Sequence, residues 1–473
     1  MTPLTTKAEA KSSVFHLFSP AHLPATLMLG GGVTLYAVET YITATVTPSI
    51  VRDIGGLALL SWVTTLYVAA AVLGAIFVAM RPRGIGLRTV YAAGALVFGA
   101  GSLICAAAPV MVILLAGRTV QGIGAGSLAG LAYAFVRFAY PEALWRKAST
   151  LYAAIWGVAT LLGPTLGGLF SGGGDWRYAF VVLVPLGCLM AALAPLLLPR
   201  AEDDRADGKT PVWQILLLLA AVLLVSSAGT IERPFLKAAL VALAVGAIAI
   251  MLFIERRSTG GLFPSGAVTL RRPVARVYLT MFALLLVLTS DIYIPYFLQV
   301  LHGVTPLISG YLTALVALGW TFAAFFTGTL SGRKAGIAVI AGCAVEAVSC
   351  IALAIFLARE NRAGDLALLG PAVIGMFTMG AGVGLAWAHL VAKILHLVDD
   401  AEQDKASAAI SSVQSLGSAF GAAISGVIVN STGLVAPGGL TGNVSAAQWL
   451  YAIMALPGVV TIAAALTLSR DEA

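Results

Sequence analysis

Apolar runs of about twenty residues recur along almost the whole of this chain, each long enough to cross roughly 30 Å of hydrocarbon. In lipid every backbone N–H and C=O must find a partner inside the protein, so such runs fold as helices. Fourteen can be bounded, at about 25–50, 58–80, 88–108, 110–136, 147–170, 177–198, 212–230, 236–254, 274–300, 307–330, 337–358, 366–396, 406–429 and 447–468. Glycine, proline and charge separate them, most clearly at RPRGIGLR (81–88), PRAEDDRADGK (199–209) and the arginine-rich stretch 255–276. A soluble fold is excluded, since 10% of residues are charged where a globular domain averages about 25%. The first apolar stretch continues into a full span, so no cleaved signal peptide is expected. Cys105, Cys188, Cys343 and Cys350 all fall in spans and read as packing residues, not as metal ligands.

An even number of crossings puts both termini on one side. With the N-terminus inside, about 21 of the Lys and Arg residues face that side and about six face the other. That bias predicts cytoplasmic termini. It also accounts for a net charge of +7 without nucleic acid.

The halves of the chain echo each other. Span five carries GVATLLGPTLGG (157–168) and span thirteen SLGSAFGAAISG; span one carries Glu39 and span nine Asp291. The expected fold is all-α and integral to the membrane, with fourteen helices in two six-helix bundles, 1–198 and 274–473. Residues 199–273 then hold cytoplasmic linkers and two inserted transmembrane helices.

Three polar features stand out against this background. Arg118, in GRTVQGIGAG (117–126), places a permanent cation inside a span, at a cost of at least about 2.5–3.5 kcal/mol. It must face the bundle and meet a carboxylate or backbone carbonyls, either as a fixed ion pair or as a charge that tunes a proton-binding acid. Gln121 and the glycines after it supply one amide and a flat face for close helix approach. Gly157, Gly163, Pro164, Gly167 and Gly168 combine missing bulk with a bend, for static packing or for a seal that can open. Only Glu39, Asp291 and Glu346 are acids well inside spans. At 1.5 Å per residue, Glu39 lies roughly 20 Å from the cytoplasmic end and Arg118 roughly 13 Å from the other, so the two can pair. Asp291 reads as lying at similar depth. Each acid can carry a proton as access alternates, or serve as a structural acid. Glu346, between small neighbours, suits helix packing equally well. Tyr293, Tyr296, Gln299, Trp156, Trp320, Trp387 and Gln414 are candidates to line a cavity, although Trp and Tyr also favour interfaces. No Walker A loop, zinc-protease or nucleophile-elbow motif is present, which leaves little for an ATP motor or a membrane enzyme.

These features resemble the major facilitator superfamily, in its fourteen-span drug:proton antiporter branch. Arg118, Gln121, Gly122 and Gly124 match the family's fourth-helix motif. Gly157, Gly163, Pro164, Gly167 and Gly168 match its antiporter motif, and Glu39 through Pro48 match its first-helix motif loosely. Asp175-Trp176-Arg177 resembles its entry to helix six. The resemblance implies two bundles rocking about a central cavity and proton-driven export of amphiphilic or lipophilic compounds. The coupling residues would be Glu39, Asp291, Arg118 and Glu346. No cofactor is expected beyond the proton gradient. Partners would be small-molecule substrates, protons and membrane lipids, with the protein a monomer in a bacterial plasma (inner) membrane. The loop between helices two and three departs from the family pattern: Arg83 stands where the family has an acid, Arg88 follows, and the second-half copy has Gly332 there, before Arg333. A symporter importing a metabolite, or a non-transporting receptor on the same fold, are the alternatives.

Overall fold

The computed structural model describes residues 14–81, 85–172, 175–199, 211–258 and 261–470, so Arg83 lies outside the described residues. The first half comprises α1 (Leu23–Ile54), α2 (Leu60–Ala79), α3 (Leu87–Ala106), α4 (Met111–Ala139), α5 (Glu142–Gly172) and the consecutive α6 (Tyr178–Val181) and α7 (Leu183–Leu197). An inserted hairpin follows, α8 (Val212–Gly229) and α9 (Pro234–Arg257). The second half comprises α10 (Pro273–Leu288), a 3₁₀ turn (Thr289–Tyr293), α11 (Ile294–Leu301), α12 (Pro306–Thr327), α13 (Gly332–Phe356), α14 (Leu366–Leu397), α15 (Gln403–Ser431) and α16 (Gly439–Arg470). Among the described residues, thirteen segments are long and apolar enough to cross a membrane. α1, 32 residues long, is less apolar than these, with Glu39 and several threonines and glycines along it, and is the remaining long helix of the first half.

Each half packs in the same way. In the first, α1 lies against α5, α2 and α3 against α4, and α3 against α7; in the second, α10 lies against α15, α12 and α13 against α14, and α13 against α16. Lipid offers no hydrophobic drive between helices, so close van der Waals approach must hold them. Gly122 and Gly126 of α4 abut the Tyr67 and Ala71 carbonyls of α2, and Gly124 abuts Phe98 of α3. Gly380, Gly384 and Gly382 of α14 make the matching contacts with Val316, Trp320 and Glu346. The halves meet along α5–α12 and α2–α15, and α8 lies over the second seam, against both α15 and α2.

These contacts also set the register of the repeat. Gly163 and Gly167 abut Tyr41, Ile42 and Thr45 of α1, while Gly417 and Gly421 abut Leu285, Leu286 and Thr289. Tyr41 therefore corresponds to Leu285 and Thr45 to Thr289, so the counterpart of Glu39 is Ala283 and that of Asp291 is Thr47. The expected equivalence of the two acids is corrected: Asp291 lies roughly two helical turns further along its span, about 12 Å at 1.5 Å per residue. Pro295 explains the turn that holds it. A proline cannot donate to the carbonyl four residues earlier, here that of Asp291, and its ring crowds that group, so the helix breaks into the 3₁₀ turn.

Candidate functional site

A cavity occupies the space between the two halves. Two lobes of about 450 and 410 Å³ share Tyr41, Trp156, Leu288, Asp291, Trp320 and Gln414, so they form one continuous space. Its mouth lies among Ser149, Thr321 and Ser411, all exposed. These residues sit near the ends of α5, α12 and α15 that adjoin the connections 139–142, 328–331 and 398–402, which are flanked in sequence by Arg137, Arg146 and Lys147, by Arg333 and Lys334, and by Lys393 and Lys405. The opposite face is closed. Gly168 abuts Leu307, and Gly310 abuts Thr45 and Pro164. The Thr165 and Tyr311 hydroxyls share a hydrogen bond at 2.5 Å. On the other seam Gly426 abuts Ser61, and Asn430 Nδ2 donates to the Ala58 carbonyl at 2.8 Å and the Gly229 carbonyl at 3.1 Å. Gly163, Pro164, Gly167 and Gly168 thus belong to the closed end. Gly157 lies on the cavity wall with open space where a Cβ would stand.

Arg118 is 2% exposed and ion-paired with Glu39, which is fully buried. The guanidinium also donates to Gln121 Oε1 at 2.6 Å and to the Val63 carbonyl at 3.0 Å. It lies 4.1 Å from the centre of the Tyr67 ring, which stacks on Tyr36. Thr43 Oγ1 donates to Glu39 Oε1 at 2.5 Å, and Gln121 Nε2 donates to Ser102 Oγ at 2.9 Å. A charge pair so deep is tolerated because its polar atoms are shared among α1, α2, α3 and α4. Glu39 Oε2 makes no hydrogen bond of normal geometry. Arg118, Thr43, Tyr36 and Tyr67 line the cavity, and Glu39 lies behind them. Gln121 is a partner of Arg118, not a cavity residue.

Asp291 differs in kind. It is half-buried on the cavity wall, and the ion pairs among the described residues do not include it. Tyr41, Trp156, Trp320 and Gln414 surround the same space; the placement of Trp387 on the cavity is corrected, since its ring lies behind Trp320, tilted at 58° with 5.6 Å between ring centres, and lines neither lobe. The placement of Tyr293, Tyr296 and Gln299 on the cavity is corrected. The 3₁₀ turn rotates α11, so Tyr293 is buried against Phe297, the Tyr296 hydroxyl donates to Asn443, and Gln299 donates to Ser309. Glu346 is fully buried, lines neither lobe and packs against Gly382, with both carboxyl oxygens lacking a hydrogen-bond partner. Arg88 Nη1 donates to the Pro195 carbonyl at 3.2 Å, and Arg333 is exposed at the start of α13.

A polar stripe of α15, Ser411, Gln414, Ser415 and Ser418, lines the larger lobe. Its three- and four-residue spacing marks one helix face and was readable from the sequence. At the closed end, Asp53 accepts hydrogen bonds from Arg177 Nη1 at 2.7 Å and the Trp176 indole at 3.0 Å. Arg177 foremost, then Trp176, holds the Asp53 carboxyl below the usual range. This ties Asp175-Trp176-Arg177 to the end of α1.

The sequence model of the Major Facilitator Superfamily matches residues 28–421. A Mycobacterium tuberculosis protein named probable multidrug-efflux transporter is 39% identical, with 93% of each chain covered. Multidrug resistance protein Stp of the same species is 28% identical over 85% of this chain and 74% of that one. Among solved structures, a bacterial homologue of the human lysosomal transporter Spinster, inward-facing and unoccupied, aligns with a TM-score of 0.66 at 16% identity, covering 96% of this chain and 98% of that one. The xylose transporter XylE of E. coli aligns with a TM-score of 0.59 at 16% identity, covering 93% and 97%.

Proposed function

The chain belongs to the major facilitator superfamily, and we propose that within it the protein is a proton-coupled exporter of lipophilic small molecules, cations among them. The observation that carries this reading is the meeting of the buried Glu39–Arg118 pair and the open carboxylate of Asp291 around one cavity, closed at its far end by the glycine-rich half of α5. The basic face is cytoplasmic, so cargo enters from the cytoplasm or its membrane leaflet and meets aromatic walls and the Asp291 charge.

Proton and cargo communicate through Arg118. A proton on Glu39 removes the partner of a guanidinium that also borders the cargo space, and Arg118 must then lean on Gln121, the Val63 carbonyl, the Tyr67 ring or whatever the cavity holds. Each set of contacts favours a different packing of α1, α2 and α4, and the two seams supply the other term of a two-state equilibrium. Opening the far end requires α5 to leave Leu307 and Tyr311, and α15 to leave Ser61. Because the cavity wall bears charge and the described contacts between the halves at the far seal are between uncharged groups, cargo binding and sealing are separate tasks. The protein acts as a monomer and needs no cofactor beyond the proton gradient.

The test is transport in proteoliposomes carrying an imposed pH gradient. The wild type concentrates a lipophilic cation such as ethidium against its gradient, while Asp291→Asn and Glu39→Gln, each verified as folded and inserted, do not. Retained gradient-driven accumulation in both variants sinks the reading, as does proton movement in the same direction as the cargo.

A further inference from the structure

The inserted hairpin encloses a second space that transport through the central cavity does not use. A groove of about 540 Å³ runs between α8 and α9 on one side and α10 and α15 on the other. Its walls are almost wholly aliphatic and aromatic, Val245, Ile248, Leu252, Leu279 and Phe282 among them, and Arg256 is the charged residue at its end. The lining runs about 16 Å along α10, from Ala275 to Leu286, and about 22 Å along α9, from Val241 to Arg256, against about 15 Å for half of a hydrocarbon core of about 30 Å. The groove is therefore deep enough to take an acyl chain through one leaflet.

Its basic end is built by the loop after α9. The buried Glu255 carboxylate accepts hydrogen bonds from the Leu262 and Phe263 amides at 3.0 and 2.6 Å, which folds Phe263, Ala267 and Val268 onto the groove. Glu402 accepts from the Ser265 amide and hydroxyl at 2.9 and 3.0 Å. Glu255 and Glu402 are thus engaged with uncharged donors. Arg256, Arg257, Arg271 and Arg272 are exposed around it, and the ion pairs among the described residues include none of the four. Arg257 lies on the Phe253 ring, Arg256 reaches the Val268 carbonyl at 3.4 Å, and Arg272 packs beside Gly266.

We propose that this groove is a site for an anionic phospholipid, one acyl chain lying between the hairpin and α10–α15 and the phosphate resting on Arg256 and Arg272. The apolar walls have nothing to offer free phosphate. A zwitterionic lipid fits the walls but gains little from the unpaired arginine charge, whereas each arginine near the surface favours an anionic headgroup. The hairpin, which carries no polar motif of its own, would then hold a lipid against α10 and α15 of the second half.

The experiment is native mass spectrometry of the purified full-length protein after equilibration with equal amounts of phosphatidylglycerol and phosphatidylcholine. The wild type should retain one tightly held lipid with at least about tenfold preference for phosphatidylglycerol. Arg256→Gln/Arg272→Gln should lose the preference yet still bind lipid. Val245→Trp, at a position 60% exposed where a larger ring fills the groove without disturbing the core, should lose the retained lipid while keeping its melting temperature. Equal retention of the two lipids by the wild type, phosphatidylglycerol retention unchanged in the arginine double variant, or a retained lipid in Val245→Trp would each overturn the proposal. Displacement of the lipid by inorganic phosphate alone would overturn it too.

Discussion

Asp291 occupies in the second half the position that Thr47 holds in the first, and it borders the central cavity while Glu39 lies behind the cavity wall. The two acids are therefore not copies of one site. Glu39 is built into a charge pair spread over four helices. Asp291 sits in a broken turn with its carboxylate toward the space that cargo would fill. Asp291→Asn should barely change stability, within about 0.5 kcal/mol as for substitutions away from packed features. It should weaken binding of a lipophilic cation about tenfold, roughly 1.4 kcal/mol, and leave a neutral lipophile of the same shape unaffected. Tryptophan quenching titrations, with Trp156 and Trp320 on the same wall, can measure both.

Glu39→Gln should behave differently because it strands a guanidinium that is 2% exposed. Removing one partner of a buried pair costs about 3–5 kcal/mol, while removing both is far milder. The melting temperature in detergent should fall clearly in Glu39→Gln and recover in Glu39→Gln/Arg118→Gln. A double variant no more stable than the single one would mean that Val63, Gln121 and Tyr67 already satisfy Arg118.

The spans, the burial of Arg118 and its pairing with Glu39 were legible in the sequence, because hydropathy counts residues and helical rise converts counts to depth. The rotation of α11 was not. Tyr293, Tyr296 and Gln299 follow one another at the three-residue spacing that suits one helix face, but Pro295 interrupts that helix, and a 3₁₀ turn advances the face by a different angle per residue. The register of Asp291 was hidden for a related reason. Halves that repeat by packing align through glycines on neighbouring helices, Gly163 with Gly417 and Gly167 with Gly421, and not through the acids themselves. Thr43 and the serine face of α15 are small and uncharged, so they do not stand out among residues that also back-bond within helices.

Glu346 lies outside both lobes and packs where Phe98 packs in the first half. Glu346→Gln should therefore retain gradient-driven export, and Glu346→Met should match or exceed the wild-type melting temperature, since a buried carboxyl without a partner is costly. Loss of pH-dependent export in Glu346→Gln, with cargo binding intact, would return this residue to the coupling path.

The Asp53–Arg177 clamp gives the closed face a pH dependence of known sign. The Asp53 carboxyl is held below its usual range, so its stabilisation is present in full above the ordinary carboxylate range and is lost as pH falls through the lowered value. The pair is solvent-exposed and the effect correspondingly small. The melting temperature of the wild type should decline slightly more than that of Asp53→Asn between pH 6 and pH 3 (about three units, spanning the Asp range). Parallel curves would show that the clamp holds α1 by shape alone.

The closed face rests on contacts that admit no additional atoms. A Cβ on Gly168 would overlap Leu307 across the α5–α12 seam, and interiors so packed switch between arrangements in preference to deforming smoothly. Gly168→Val should therefore favour the state in which α5 has left α12 and the far end is open. The reporter is Ser61→Cys on the other seam, where Ser61 is 2% exposed beneath Gly426, in a background with Cys105, Cys188, Cys343 and Cys350 replaced by alanine. A membrane-impermeant maleimide added from the far side should label Ser61→Cys slowly when position 168 is glycine and several-fold faster when it is valine. Acceleration at a seam that residue 168 does not touch would mean that the two halves move as rigid units. An unchanged rate alongside a lowered melting temperature would instead make Gly168 a local packing residue with no part in opening.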